Sequence, residues 1–239
     1  MNDAEFARAA AQVAGNLLLA IQRDGADGAR GDREANALLL EWLARERPND
    51  AVLSEESADD AARLVARRVW IIDPLDGTRE FAEGRRDWAV HVGLAVDGEA
   101  RVGAVALPAL GQVIATDAPP PLKPPQTPPR MLVSRTRPSR LCLDVGARIG
   151  AAEVPMGSAG AKAMAVVRGE AEIYLHSGGQ HQWDNCAPVA VALAAGLHAS
   201  RIDGSPIVYN QPSTLIPDVL ICRKEWAGPV LEAVRGCGG

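Results

Sequence analysis

The stretch Val69-Trp70-Ile71-Ile72-Asp73-Pro74-Leu75-Asp76-Gly77-Thr78-Arg79-Glu80-Phe81 decides how the chain is read. Its first four residues are apolar and mostly β-prone, the composition of a strand covered on both faces. Asp73 closes that run, and Asp76 follows three positions later. A buried strand that ends in two acids needs something to offset their charge, because close carboxylates repel and are costly to desolvate. Asp73-Pro74 and Asp76-Gly77 are also ordinary turn dipeptides, which is the simpler reading of the same residues.

Other acids stand at comparable places. Glu55 and Glu56, in Leu-Ser-Glu-Glu-Ser, end the preceding strand. Asp184, in Gln-Trp-Asp-Asn-Cys-Ala-Pro, stands at the start of an apolar helix, and Asp32, in Arg-Gly-Asp-Arg-Glu, opens the second helix. If these ends converge, they form one acidic cleft, and divalent cations would relieve its repulsion. Oxygen-only donors select hard ions such as Mg²⁺ or Mn²⁺ over zinc. No HExxH motif or Cys/His cluster competes. Pro74 sets the turn and leaves the Leu75 carbonyl oxygen free to face a cation. The N–H groups of Gly77 and Thr78 suit a phosphate. Singly, each residue has a plainer role: Asp32 and Asp184 as helix caps, Glu55 and Glu56 as a solvated loop, Thr78 bonding its own turn. His91, His176, His181 and His198 stand alone and read as core or surface residues. Arg79 and Glu80 read as surface residues flanking the motif.

The whole chain sets limits. It has 239 residues, 47% hydrophobic and 23% charged, enough for a substantial core. A net charge of -5 implies no basic face, which argues against nucleic acid as a partner. The first ten residues carry acids where a secretory leader needs a basic segment, and no run is apolar for the ~18 residues of a membrane span. The four cysteines form no CxxC pair and read as free thiols in a reducing, cytoplasmic setting.

Periodicity divides the chain into two halves and a connector. Residues 1–117 read as an α+β half with an antiparallel sheet, carrying most of the acids. Phe6, Ala10, Val13, Leu17 and Ile21 predict a first helix, with Asn2 and Glu5 as its cap. A Gly-rich break over 23–32 then precedes a helix through Ala35, Leu38, Leu39, Trp42 and Leu43. Asp97-Gly98 predicts a hairpin. Residues 118–129, with their dense prolines, read as a stiff surface loop. Residues 130–239 alternate strands and helices, an α/β half that carries Asp184. Gly169 and Gly196 stand where helices should end.

Taken together, Val-Leu-Ser-Glu-Glu-Ser, Trp-Ile-Ile-Asp-Pro-Leu-Asp-Gly-Thr-Arg-Glu-Phe and Gln-Trp-Asp-Asn-Cys-Ala-Pro resemble the inositol monophosphatase family of lithium-sensitive, Mg²⁺-dependent phosphomonoesterases. The variant Asp-Gly-Thr-x-Glu-Phe and the stretch Gly157–Leu175, with its Lys162, resemble the CysQ branch, which hydrolyses 3'-phosphoadenosine 5'-phosphate. The resemblance implies an inositol monophosphatase/fructose bisphosphatase-like fold. It implies that Glu55, Asp73 and the Leu75 carbonyl hold one Mg²⁺, that Asp73, Asp76 and Asp184 hold a second, and that Asp32 helps hold a third. Glu55, Thr78 and Asp32 would orient a metal-activated water. Asp76, Gly77, Thr78 and Asp184 would meet the substrate, as would Ser158, Gly160 and Lys162 at a helix start suited to a second anionic group. Mn²⁺ would substitute for Mg²⁺, Li⁺ would inhibit, and a homodimer is implied.

The pattern departs from the family in places. The loop before Asp32 is short. Ser177 replaces the acid that binds inositol hydroxyls, and His176 replaces an arginine of better-known CysQ enzymes. The implied activity is removal of the 3'-phosphate from 3'-phosphoadenosine 5'-phosphate. The alternatives are inositol 1-phosphate or fructose 1,6-bisphosphate as substrate, or a non-catalytic sensor of nucleotide or metal.

Overall fold

The computed structural model describes residues 1–237. Two five-stranded sheets and three helical layers alternate through the molecule, an α/β layered architecture. In chain order the elements begin with α1 (Asp3–Arg23), α2 (Gly28–Glu46), β1 (Ala51–Ser54), β2 (Arg68–Asp76) and α3 (Thr78–Ala82). They continue with β3 (Ala89–Val96), β4 (Glu99–Leu107), β5 (Gln112–Ala115), β6 (Arg130–Ser134), α4 (Arg140–Ile149), β7 (Ala152–Met156) and α5 (Ala159–Val167). The last five are β8 (Ile173–His181), α6 (Gln182–Ala194), β9 (His198–Ser200), β10 (Leu215–Cys222) and α7 (Lys224–Cys237).

The first sheet runs β1-β2-β3-β4-β5. It is antiparallel except at its β1–β2 edge, where the connection through a 3₁₀ turn at Ala61–Val65 brings the strands together in parallel. Asp97 and Gly98, both at positive φ, make the tight turn between β3 and β4. Alternation sorts the side chains. Trp70, Ile72, Val90, Val92, Leu94 and Ala104 pack under α1 and α2. Val105 and Leu107 face the middle layer, with Ala187 and Val191 of α6 and Met164 of α5. The second sheet, β7-β6-β8-β10-β9, lies beyond that layer, and its far face packs on α4 and α7 through Val145 and Val230.

The first helix has its Asn2–Glu5 capping box, but the buried stripe is Phe6, Ala7, Ala10, Ala14, Leu18 and Ile21. Val13, expected inside, is 40% exposed, because the alanine positions carry the close packing. The second helix starts earlier than expected. Asp27 is its N-cap and Gly28–Gly31 are already helical, so Asp32 lies within the helix and does not cap it. The glycines that suggested a break permit close packing: a Cβ on Gly28 would stand 2.6 Å from Thr78 Cγ2. The proline-rich loop 118–129 has neither helix nor strand. The buried Glu172 carboxylate ties it down, accepting the Gln126 and Arg130 backbone amides at 3.1 and 2.8 Å. All four cysteines are free thiols, and no helix among the described residues is long and apolar enough to cross a membrane.

Candidate active site

The motif strand does not stop at Asp73. β2 continues through Asp73, Pro74, Leu75 and Asp76 with one extra residue against β3, pairing Asp73 with His91 and Asp76 with Ala89. That β-bulge turns both carboxylates toward the same place, where a regular strand would send residues three apart to opposite faces. Leu75 N–H donates to Asp73 at 3.0 Å, and the Thr78 hydroxyl donates to the Leu75 carbonyl at 3.2 Å. Gly77 takes φ +92° to let α3 begin at Thr78.

Asp184 arrives from the other side. α6 carries Pro188 at its seventh position and starts at Gln182, so that Asp184 is its third residue. Its carboxylate accepts the His181 amide at 2.5 Å. The helix is seated by bare backbone on the sheet: a Cβ on Gly103 would stand 2.4 Å from the Ala187 carbonyl oxygen, and one on Gly93 2.9 Å from Ala187 N. The result is that Asp73, Asp76 and Asp184 place carboxylate oxygens all within 4.8 Å of one another.

The electrostatics of this cluster are frustrated. Burial pushes the Asp73 carboxyl well above its usual range, and the charges of Asp76, Glu55 and Asp184 push it further. Asp184 is raised to about 6 by burial and by Asp76. Glu55, at the end of β1, is raised to about 7 by desolvation and by Asp184, and its carboxyl lies beside Asp73. Asp76 goes the other way. Burial alone would raise it, but His91, the Ser158 hydroxyl and the Gly160 amide outweigh that and hold it at about 2. Asp32 is not part of the close set. Its desolvated carboxyl is raised to about 7 with Glu56 as its charged neighbour.

His91 is the residue that the sequence reading passed over. It is fully buried, with Nδ1 3.0 Å from the Trp183 carbonyl and Nε2 3.2 Å from Asp76 Oδ2, an ion-pair approach rather than a well-formed hydrogen bond. Burial opposes its charge, but Asp76 and the Trp183 carbonyl outweigh it and raise its pKa. The available signal was a lone polar residue in an otherwise apolar strand, Ala89–Val96.

The helix start at α5 also differs from expectation. The Ser158 hydroxyl and the amides of Ala159 and Gly160, the last two at 3.1 and 2.6 Å, are directed at Asp76 rather than at open space. Lys162 is not exposed. Its ammonium donates to the Ser158 carbonyl at 2.6 Å and lies 5.4 Å from the Tyr174 ring, and burial lowers its pKa. Lys162 still borders a cleft of about 260 Å³, shared with Gly77, Thr78, Arg79, Arg135 and Arg137. Ser177 hydrogen-bonds Ser139 at 2.7 Å, and His176 meets the Gly179 carbonyl at 3.1 Å.

An all-oxygen donor set with Asp73 and Asp76 buried, Asp184 half-buried and Glu55 at the exposed edge, and with three of its four carboxyls pushed toward protonation, fits a hard divalent cation, which would restore their ionised forms. The sequence profile of the inositol monophosphatase family matches residues 5–118 and 131–238. The chain is 50% identical to the 3'-phosphoadenosine 5'-phosphate phosphatase of Mycobacterium bovis over 238 residues, 92% of this chain and 89% of the relative. It is 48% identical to the protein of the same name from Mycobacterium leprae, over 98% of this chain and 94% of that one. Its structure superposes on CysQ from Bacteroides thetaiotaomicron with a TM-score of 0.81 at 24% identity, covering 93% and 97% of the two chains. The profile runs on both sides of the proline-rich loop and the half-identical relatives span nine-tenths of the sequence, so the chain belongs to the inositol monophosphatase family.

Proposed function

We propose that this chain is a divalent-metal-dependent phosphomonoesterase that converts 3'-phosphoadenosine 5'-phosphate to AMP and phosphate. The observation that carries the substrate is the identity of about one half, over nine-tenths of both chains, to phosphatases named for that nucleotide. The acidic cluster supports the chemistry. Asp73, Asp76 and Asp184, with Glu55 beside Asp73, would hold Mg²⁺, and Mn²⁺ would serve the same oxygen donors. Bound there, the cation would polarise the phosphoryl group and acidify a water.

The chain's own groups then have distinct tasks. Glu55, ionised once the cation offsets its acidic neighbours, is suited to accept the proton that the attacking water loses. The Thr78 hydroxyl gives its hydrogen to the Leu75 carbonyl, so its oxygen lone pairs face outward and can orient that water. The amides at Gly77 and Thr78 meet the phosphoryl oxygens. As the water oxygen bonds to phosphorus, the P–O3' bond breaks, its electrons leave with O3', and O3' takes a proton from solvent to become the free hydroxyl. His91 keeps Asp76 ionised, so that Asp76 stays an acceptor throughout.

The deciding experiment compares kcat/KM for 3'-phosphoadenosine 5'-phosphate, inositol 1-phosphate and fructose 1,6-bisphosphate, with Mg²⁺ and with chelator. The nucleotide should be preferred, and turnover should vanish without metal. A preference for either sugar phosphate overturns the substrate, and undiminished binding with no turnover in Mg²⁺ overturns the enzyme. Millimolar Li⁺ should inhibit, since a small hard cation competes for the same oxygens; unchanged turnover would speak against that site.

A further inference from the structure

Glu80 has no counterpart in the chemistry above, and it is not the surface residue its sequence position suggested. It is 7% exposed, two residues after Thr78 on α3. An acid placed beside a phosphate-binding turn repels the ligand unless a cation neutralises it. Arg135, immediately after β6, does so, with Nη2 2.9 Å from Glu80 Oε1 and 2.8 Å from Glu83 Oε2. The contact joins the motif helix of the first sheet to the loop of the second. Glu80 also lies flat on Gly157, where a Cβ would stand 2.3 Å from Glu80 Cγ. The next residue, Ser158, is held at φ +54°, a conformation that side chains avoid and that surrounding contacts must impose.

These contacts surround the cleft of about 260 Å³ beside Thr78. With Arg135 held by two carboxylates, Arg79 and Arg137 line that cleft and form no ion pair with an acid among the described residues. Arg79 is next to Glu80 in the chain, and Arg137 is two residues from Arg135. We propose that the Glu80–Arg135 pair is a latch between the two sheets that sets the spacing of these flanking cations, and so the preference for a substrate with a second anionic group near the one removed. Glu80 and Arg135 are positioning residues in this role. The inference rests on the nucleotide reading above, because it concerns the group that distinguishes a bisphosphate from a monophosphate.

The test measures kcat and KM for 3'-phosphoadenosine 5'-phosphate and for adenosine 3'-monophosphate, in saturating Mg²⁺. The proteins are wild type, Glu80→Gln, Arg135→Met and the double variant, each checked by thermal melting. Each single change should raise KM for the bisphosphate about tenfold while kcat, and KM for the monophosphate, move less than about twofold. The double variant should match the worse single, because either change breaks the same contact. Equal losses on both substrates, additive losses or no loss overturn the latch. If Arg135→Met does not fold, Arg135→Gln replaces it, and an unchanged KM for the bisphosphate overturns the proposal. If wild type does not favour the bisphosphate, the nucleotide reading fails. The latch then stands or falls on whether the double variant remains non-additive on the preferred ester.

Discussion

Asp73 carries more of the site than any other side chain, since it lies against Glu55, Asp76 and Asp184 together. Replacing it with asparagine should lower turnover by roughly 10²-fold or more in a protein that still folds, if Asp73 is the shared metal ligand proposed above. The same change removes like-charge repulsion, so the metal-free variant should melt no lower than wild type. Near-normal turnover in folded Asp73→Asn would sink the metal assignment. His91 acts through Asp76. His91→Ala should weaken Mg²⁺ binding by roughly 10–100-fold, the usual range for a group that holds a ligand in place, and a calorimetric Mg²⁺ titration with unchanged affinity would exclude that role. Lys162 was expected to grip the substrate's second anionic group. Its ammonium instead holds the Ser158 carbonyl, so Lys162→Ala should lower kcat/KM about equally for the bisphosphate and for inositol 1-phosphate, by roughly the tenfold that follows from one lost charged hydrogen bond. A loss confined to the bisphosphate would restore the earlier assignment. The acids were legible in the sequence because motif and chemistry coincide there. His91 was not, because its partner comes from the facing strand.

At the level of elements, the site depends on how closely α6 approaches the first sheet. Gly103 meets a backbone carbonyl, that of Ala187, and not the end of a mobile side chain, so nothing nearby can swing away from an added methyl. Gly103→Ala should therefore destabilise the protein by about 1–3 kcal/mol, the usual penalty for overpacking, and should also displace Asp184 and weaken metal binding. Denaturant melts check the first effect and Mg²⁺ titration the second. Stability unchanged within error would mean that the helix can shift without loss. Element identity was mostly readable from period and caps. What failed was the reading of residues 23–32 as a break across their whole length. Glycine favours turns when it is considered alone, yet Gly28 and Gly31 are helical because α2 must pass close to Thr78, Leu18 and Leu75.

For the whole molecule, folding assembles a charge cluster that either protons or a cation relieve, and this makes stability depend on pH and metal together. In the unfolded chain the relevant carboxyls titrate near 4. In the folded, metal-free protein Glu55 and Asp184 titrate near 7 and 6, so between those limits the folded state binds the extra protons. Their contribution to stability therefore falls as pH rises through that window. Mg²⁺ requires the ionised forms and reverses the loss. The rise in Tm on adding Mg²⁺ should be small at pH 5 and larger at pH 8. At pH 8 and a hundredfold excess over Kd, about 2.7 kcal/mol of linkage corresponds to about 5–10 °C for a chain of this size. Half-buried His176 and His198, whose pKa values are lowered by desolvation, affect both conditions alike and cancel in the difference. A metal-induced shift that shrinks as pH rises would contradict the cluster's electrostatics.

The sequence by itself determined the layered fold, the motif acids and the family, since strand and helix periods are local and Asp73, Asp76 and Asp184 stand in order within recognisable stretches. The tertiary structure alone decided which neighbours complete them. The bulge in β2 turns two acids to one face, bare glycines admit α6, His91 meets Asp76 across a strand pair, and Glu80 finds Arg135 fifty-five residues away. Local preference governs the φ and ψ of each short segment. Charge pairing and close approach depend on distances between segments, and those exist only once the chain has folded.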